Sequence, residues 1–505
     1  MSAIDLKMPS LAFPLNGLTA KIAIGLFAAV TADWLFLGET EFGLSVVLFL
    51  CLLALASIAV NPLRATGRNI GVASAVLVAG LIVLLEDVGP VSLLLGVGAI
   101  LIFALMTIEG KSLRLAELSR RAAQLPFLGP FWLVADINRA NKTARETRGP
   151  TRLLPSLLAW IVPLIALLVF GALFASANPL LESWLSQIDL WFLFNPEFLR
   201  RLSFWALILC LIWPLLALRL SPKKETVAAV PAAQAEHGPL FGESAVQRSL
   251  ILLNALFAMQ TAMDLAYLWG GMPLPQGISY AAYAHRGAYP LVLTALLAAA
   301  FVLVVMRRSG PAEKSKWIRP LVLVWVGQNV LLVISSILRL NLYVAFYSLT
   351  YLRLSAFIWM ALVGVGLILI VVQIACRKPN GWLFEMNFRA LALALFGACL
   401  LNFPATVANY NVAHCYEARR TGPFLDVSYI GSLGPQAIPA LDAFARITQS
   451  YLRIDSIGAA RRRLASETSP DWRGWSFRAW RLSRYLSINP EFTPPNDAAA
   501  PLIQN

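Results

Sequence analysis

The sequence predicts an all-α integral membrane protein of about 11 transmembrane helices. Its N-terminus is cytoplasmic, and a small α-helical C-terminal segment lies on the outer (periplasmic) side. Three observations predict this. Hydrophobic residues make up 58% of the 505 and charged residues only 13%, a balance that water does not support as the main solvent. Apolar stretches of about 17 to 24 residues recur along the chain, each near the ~20 that a helix needs to cross ~30 Å of hydrocarbon. Basic residues alternate between successive connections, as the positive-inside rule requires.

The spans are expected at 19–37, 43–60, 70–85, 91–108, 153–176, 202–219, 248–269, 288–306, 320–338, 354–374 and 388–408. Each must be helical, because lipid offers no partner to an open backbone N–H or C=O. The first connection, 38–42, holds Glu39 and Glu41 and no base; the second, 61–69, holds Arg64 and Arg68. The third is the turn Glu86-Asp87-Val88-Gly89-Pro90, again without a base, and the fourth, 109–152, has nine bases against four acids. One side collects 25 of the 41 Lys and Arg, the opposite inter-helix loops five, and the tail after Val412 eleven. The net charge of +14 is therefore topological and points to no nucleic-acid partner. The first span is long, contains Asp33 and lacks a small-x-small cleavage site, so it reads as a signal anchor.

This layout divides the chain into a first transmembrane half at 1–219, with six spans, and a cytoplasmic linker at 220–247 rich in alanine and proline. A second half of five spans follows at 248–408, and an extracytoplasmic helical tail at 409–505. Glu109-Gly110-Lys111-Ser112 is not a phosphate-binding loop, because Leu105 stands where the first glycine belongs. A basic amphipathic helix over 111–123 is expected instead, with Arg114, Arg120 and Arg121 toward anionic lipid at the inner face. The apolar segment 125–134 would lie in the same headgroup layer.

In the tail, 424–446 predicts two short helices around Gly434-Pro435, similar to one HEAT repeat. Such a unit cannot bury its face alone, so it needs the bundle, the membrane or an envelope protein partner. Trp472, Trp475, Ala479, Leu482 and Leu486 share one helical face, with Arg473, Arg478, Arg481 and Arg484 around it. That pattern fits a helix in the membrane interface or one packed on the tail's own core. Residues 491–505 are expected to be disordered.

Buried polar groups supply the candidate site. Asp33 and Asp264 each lie about 7 Å beneath the outer end of a span at ~1.5 Å per residue. A carboxylate at a helix centre costs ~2.5–3.5 kcal/mol, so each needs a counter-charge. Arg339, Arg353 and the pair His285-Arg286 are on the same side. Gln260 in the seventh span and Gln328, Asn329, Ser335 and Ser336 in the ninth add hydrogen-bonding groups. A ligand- or proton-binding cluster opening outward, rimmed by Tyr267, Trp269, Tyr280 and Tyr283, is one reading; acid–arginine pairs that only fix helix packing are the other. No nucleophile accompanies these residues, and the three histidines and five cysteines form no metal set, so neither enzyme, cofactor nor metal centre is indicated. Leu26-Phe27-Ala28 with Thr31-Ala32-Asp33 recurs as Leu256-Phe257-Ala258 with Thr261-Ala262-Met263-Asp264, one residue longer, which suggests a parallel repeat.

The run from Asp264 through Trp269-Gly270-Gly271 to His285-Arg286-Gly287, and Arg339-Leu340-Asn341-Leu342-Tyr343 with Arg353, resemble a bacterial polytopic family known as domain of unknown function 4173. Ala32-Asp33-Trp34-Leu35-Phe36 and Asp471-Trp472-Arg473 fit the same resemblance. It implies a multi-pass protein of the bacterial inner membrane and supplies no activity, substrate or catalytic residue. Three functions are therefore weighed: a carrier or permease built on the acidic residues, an envelope sensor or scaffold acting through the tail and the basic cytoplasmic loops, and, with least support, a membrane enzyme acting on lipid-linked material at the outer face.

Overall fold

Residues 17–38, 42–109, 115–148, 163, 196–218, 243–270, 294, 297, 301, 316–448, 451–467 and 471–489 are described by the computed structural model, and the secondary structure among them is helical. Among the described residues, eight helices are long and apolar enough to cross a membrane. They are α1 (Leu18–Phe36), α3 (Gly67–Glu86), α4 (Pro90–Glu109), α6 (Pro196–Leu216), α7 (Glu243–Asp264, continued by a π-helical turn), α8 (Ile318–Tyr347), α9 (Tyr351–Ala375) and α10 (Asn380–Leu400). Helix α2 (Leu44–Val60) is equally apolar but has 17 residues. Phe27, Leu55, Leu252, Leu352 and Leu393 are all more than half exposed, an apolar surface that suits hydrocarbon and not water. The protein is multi-pass. The spans expected at 153–176 and 288–306 lie almost wholly outside the described residues, as do 220–242 of the expected linker 220–247 and residues 491–505; the remaining 243–247 of the linker are already part of α7.

The chain forms two compact units. The first comprises Met1–Leu84, Leu94–Leu113 and Glu117–Ser221. Here α1 runs antiparallel to α6: Gly25 faces Leu209 and Leu216 at one end, and Asp33 meets Arg201 at the other. Asn61, just beyond α2, donates from Nδ2 to the Leu215 carbonyl near the end of α6, 2.7 Å away. The N–H groups of Arg64 and Ala65 share the Thr107 carbonyl of α4, each at 3.1 Å. Helices α4 and α6 therefore finish at the same edge of this unit. Helices α3 and α4 cross closely at Gly80, where any Cβ would collide with Ala99.

The basic loop differs from its expected form. It is one helix, α5 (Leu115–Arg148), that runs through Pro126 and Pro130. Its 117–148 part belongs to the first unit, where Gly129 lies against the backbone of Cys210 in α6 so tightly that no side chain fits. Asp136 accepts a hydrogen bond from the fully buried Trp213 at 3.1 Å. The segment 125–134 is thus half packed on α6, while Phe127 and Phe131 project outward. Arg120 and Arg121 both bond to Glu117, and Arg114 lies outside the described residues.

The second unit comprises Leu85–Leu93, Arg114–Ala116 and Pro222–Asn505. Helices α7 and α8 run parallel, since Asn254 bonds to Leu321 and Asp264 to Arg339. Their core is built from Leu250, Phe257, Val322, Trp325 and Leu332, with α9 and α10 adding Met360, Leu367 and Leu383. The last span has the expected length but lies eight residues earlier than 388–408. Helix α10 stops at Leu400, and Asn402 caps a new helix, α11 (Phe403–His414), by accepting from the Ala405 N–H at 3.1 Å. Pro404 has no N–H to extend α10, which is why the helix breaks there.

From α11 onward the tail has a core of its own. Helices α12 (Tyr416–Arg419), α13 (Val427–Ser432), α14 (Ile438–Ile447), α15 (Tyr451–Ser466) and α16 (Phe477–Ile488) follow, with a 3₁₀ turn at Pro435–Ala437. Ala408, Val412, Ile430, Leu441, Phe444, Ile457 and Leu482 fill the interior. The two short helices around Gly434-Pro435 are as expected, and α15, α16 and α11 cover the face they cannot bury alone. Leu482 and Leu486 pack inward, so α16 serves this core, while Trp472 and Trp480 remain partly exposed.

Candidate functional site

One set of polar residues in the second unit lies along the seam between α7 and α8. Asn254 Nδ2 donates to the Leu321 carbonyl at 3.1 Å, and Gln328 Nε2 reaches the Asn254 carbonyl at 3.3 Å. Ten residues further along α7, ~15 Å at ~1.5 Å per residue, Asp264 and Arg339 form an ion pair. Gln260, one turn before Asp264, donates to its Oδ1 at 3.0 Å. Asp264 is 1% exposed and Arg339 4%. Between the two polar points, Trp325 stacks edge-on with Phe257 and Phe301, closing the seam with aromatic rings.

Local sequence explains this placement. Gln260 and Asp264 are four apart and share a helix face; Ser335 and Arg339 are likewise four apart on α8. Immediately after Asp264 the helix widens to a π turn, Leu265–Trp269, closed by the Gly270 N–H on the Leu265 carbonyl at 2.7 Å. Such turns recur at functional sites because they redirect one side chain and loosen one rung of the helical ladder. Neither charge would tolerate this depth alone, and together they present a neutral group to the surrounding apolar core.

Other candidates lie elsewhere. Asp33, in the first unit, pairs with Arg201 at 2.9 Å, and Arg201 also reaches Glu197 at 3.2 Å. Arg201 was not singled out from the sequence; its signal is that it belongs to the sparse set of bases on the side expected to be base-poor. Arg353 is not near Asp264. It caps the end of α8 by donating to the Tyr347 and Ser348 carbonyls, with its guanidinium 4.3 Å above the Tyr343 ring. Ser348 has φ 64°, an unfavourable conformation for a residue with a side chain, and Arg353 holds its carbonyl. His285, Arg286, Tyr280 and Tyr283 are outside the described residues. Among the described residues no three His, Cys, Asp or Glu side chains converge as a metal set.

A second charged cluster was missed. Arg478 of α16 donates to Asp87 at 2.7 Å and to the Cys399 and Leu401 carbonyls at 3.2 and 3.4 Å, and Arg481 pairs with Glu86. The tail is thereby fastened to the turn after α3 and to the end of α10. At the other end of α10, Glu385 accepts from the Leu115 and Ala116 N–H groups at 3.0 and 3.2 Å. The tail and the start of α5 therefore sit at opposite ends of α10. The signal in the sequence was a base-free acidic turn and a tail helix with arginines around it. Burial shifts the Asp87 carboxyl upward from its usual value, against the opposing pull of Arg478.

No curated protein and no solved structure matches the chain. The resemblance noted in the sequence was to a different uncharacterised family; what stands is an uncharacterised domain covering most of the chain. A family model described as a domain of unknown function, DUF4153, matches residues 21–444, and the chain belongs to that family.

Proposed function

We propose that the protein is a carrier of the bacterial inner membrane whose site is built around Asp264, Arg339 and Gln260. The single observation that carries this reading is a fully buried acid–base pair placed directly before a π turn in a membrane-spanning helix. Ionisable residues at such depth mark substrate or proton pathways by default. A ligand carboxylate could exchange for Asp264 at Arg339, or a proton could neutralise Asp264 and release Arg339. Either event would change the charge of the seam, which gives the two states a differential affinity to act on.

The fold also supports eleven crossings with the tail outside. Helices α4 and α6 end at one edge of the first unit, which supports an odd number of crossings between Glu109 and Pro196, and 153–176 is an apolar stretch of suitable length in the sequence. Parallel α7 and α8 require another odd crossing, and Phe301 of the stretch 288–306 packs on Trp325. The excess of bases supports a cytoplasmic α5 and an outer tail.

The test is Asp264→Asn in intact cells and proteoliposomes, read as ion-driven charge movement and solute uptake beside the amount of inserted protein. Loss of activity with normal insertion is expected. An equal fall in both would reduce the pair to helix packing.

A second reading, a scaffold acting through its tail with an envelope protein partner, is favoured by the fastening of α16 at Glu86 and Asp87. Deleting 413–505 should abolish function under that reading while a carrier keeps substantial uptake.

A further inference from the structure

A cavity of about 390 Å³ runs between α9 and α10 and reaches the turn at Asp87–Ser92. Its size falls within the roughly 300–1,000 Å³ of ligand sites. On α9 it is lined from Tyr351 to Leu362, eleven residues or ~16 Å of helix, about half the thickness of a hydrocarbon core. Its deep walls are Ile358, Trp359 and Leu362 facing Leu391 and Leu395. Ser355, Ala394 and Ala398 are the small side chains that leave the space between the helices open.

Water does not suit the deep part, since an ordered water needs two to four polar partners and these walls supply none. An empty space of this size would forfeit the dispersion contacts of every wall atom. The polar groups gather at one end: Asp87, Ser92, Tyr351 and Arg478. There Arg478 is committed to Asp87 and two carbonyls, and its side chain is 10% exposed against 45% for Asp87. The charge presented at the mouth is thus a carboxylate. The groove is apolar along its length and about half a bilayer deep, and the most exposed charged group of its lining is the Asp87 carboxylate, paired with Arg478.

We infer that this groove holds one acyl chain of an amine-bearing zwitterionic phospholipid from the leaflet on the tail's side, with the ammonium at Asp87. The inference does not depend on the Asp264 pair, which lines no part of this groove. It assigns α9 and α10 a lipid-binding role and places the tail's fastening point beside the headgroup.

Full-length protein in vesicles carrying a diazirine-labelled phosphatidylethanolamine or phosphatidylglycerol of identical chains tests it by photolabelling and peptide mapping. Labelling of 355–362 and 391–398 should exceed that of the lipid-facing surfaces at Leu55 and Leu252 several-fold, and phosphatidylethanolamine should label the groove several-fold more than phosphatidylglycerol. Ala394→Phe and Ala398→Phe should each reduce groove labelling several-fold and leave labelling at Leu55 unchanged. Groove labelling at the level of Leu55, or equal labelling by the two lipids, would overturn the inference. Either result is decided on the wild-type protein even if a phenylalanine variant fails to insert.

Discussion

At the scale of single residues, the membrane makes the partner of a charge more consequential than the charge itself. Removing one member of a buried pair leaves the other uncompensated, at a cost of about 3–5 kcal/mol, whereas replacing both with apolar side chains of similar volume is often neutral. Arg339→Ala should therefore lower thermal stability in detergent by that amount, and Asp264→Leu combined with Arg339→Met should recover most of it. A double variant as unstable as Arg339→Ala would show that the pair contributes more than mutual neutralisation. The same contrast is available in the tail, where Asp442 binds Arg461 at 2.9 Å and Tyr485 at 3.0 Å, all within its core. The sequence showed that Asp33 and Asp264 needed counter-charges, and it placed Arg339 at a suitable depth. It could not show that Asp33 would take Arg201, 168 residues away, because depth along a span says nothing about which spans are neighbours.

At the scale of elements, α1 was legible almost to the residue, 19–37 expected against Leu18–Phe36, because hydropathy and length determine a span together. The interruption at Leu401-Asn402 was less visible, since 388–408 is apolar enough to read as one helix and only Asn402 and Pro404 betray the break. The π turn begins at Leu265, two residues beyond Met263, the residue by which the motif of the seventh span exceeds that of the first. The packing around the two motifs differs, however, for the partner helix is antiparallel at Asp33 and parallel at Asp264. In α5, Gly129→Leu would drive a side chain into the Cys210 carbonyl and should cost about 1–3 kcal/mol, measured as a drop in unfolding temperature. The first turn of α5 should also respond to acid. Hydrogen bonds from Arg120 and then Arg121 hold Glu117 down to about 2 from 4.5. A depressed carboxylate stabilises the fold above its unfolded value and stops doing so as pH falls toward the folded one. Amide exchange at 115–121, corrected for intrinsic rates, should quicken below about pH 4.5, and Glu117→Gln should remove that dependence.

At the scale of the whole molecule, hydropathy and charge bias predicted a multi-pass helical protein, and length alone could not predict how the tail would be held. The tail's own core was visible only as fragments, because Ala408, Ile430, Phe444 and Leu482 come from separate helices that no local periodicity links. Two arginines and two acids fasten α16, with Glu86 at 8% and Arg478 at 8% exposure, while Asn411 and Tyr429 hold the rest of the tail to Leu349 and Tyr351. Asp87→Asn with Glu86→Gln should leave the spans inserted and the tail folded but make residues 471–489 accessible to protease. Unchanged protection would mean that the contacts of Arg478 with the Cys399 and Leu401 carbonyls suffice.

That attachment has a consequence for biosynthesis. Arg478 follows Asp87 by 391 residues, so the clasp can form only after the intervening spans and residue 478 have been synthesised. Until then Glu86 and Asp87 wait without their arginines while later spans are threaded into the bilayer. A nascent chain arrested before residue 478 would carry that exposed acidic corner as a chemical record of its incompleteness, open to whatever machinery surveys half-made membrane proteins.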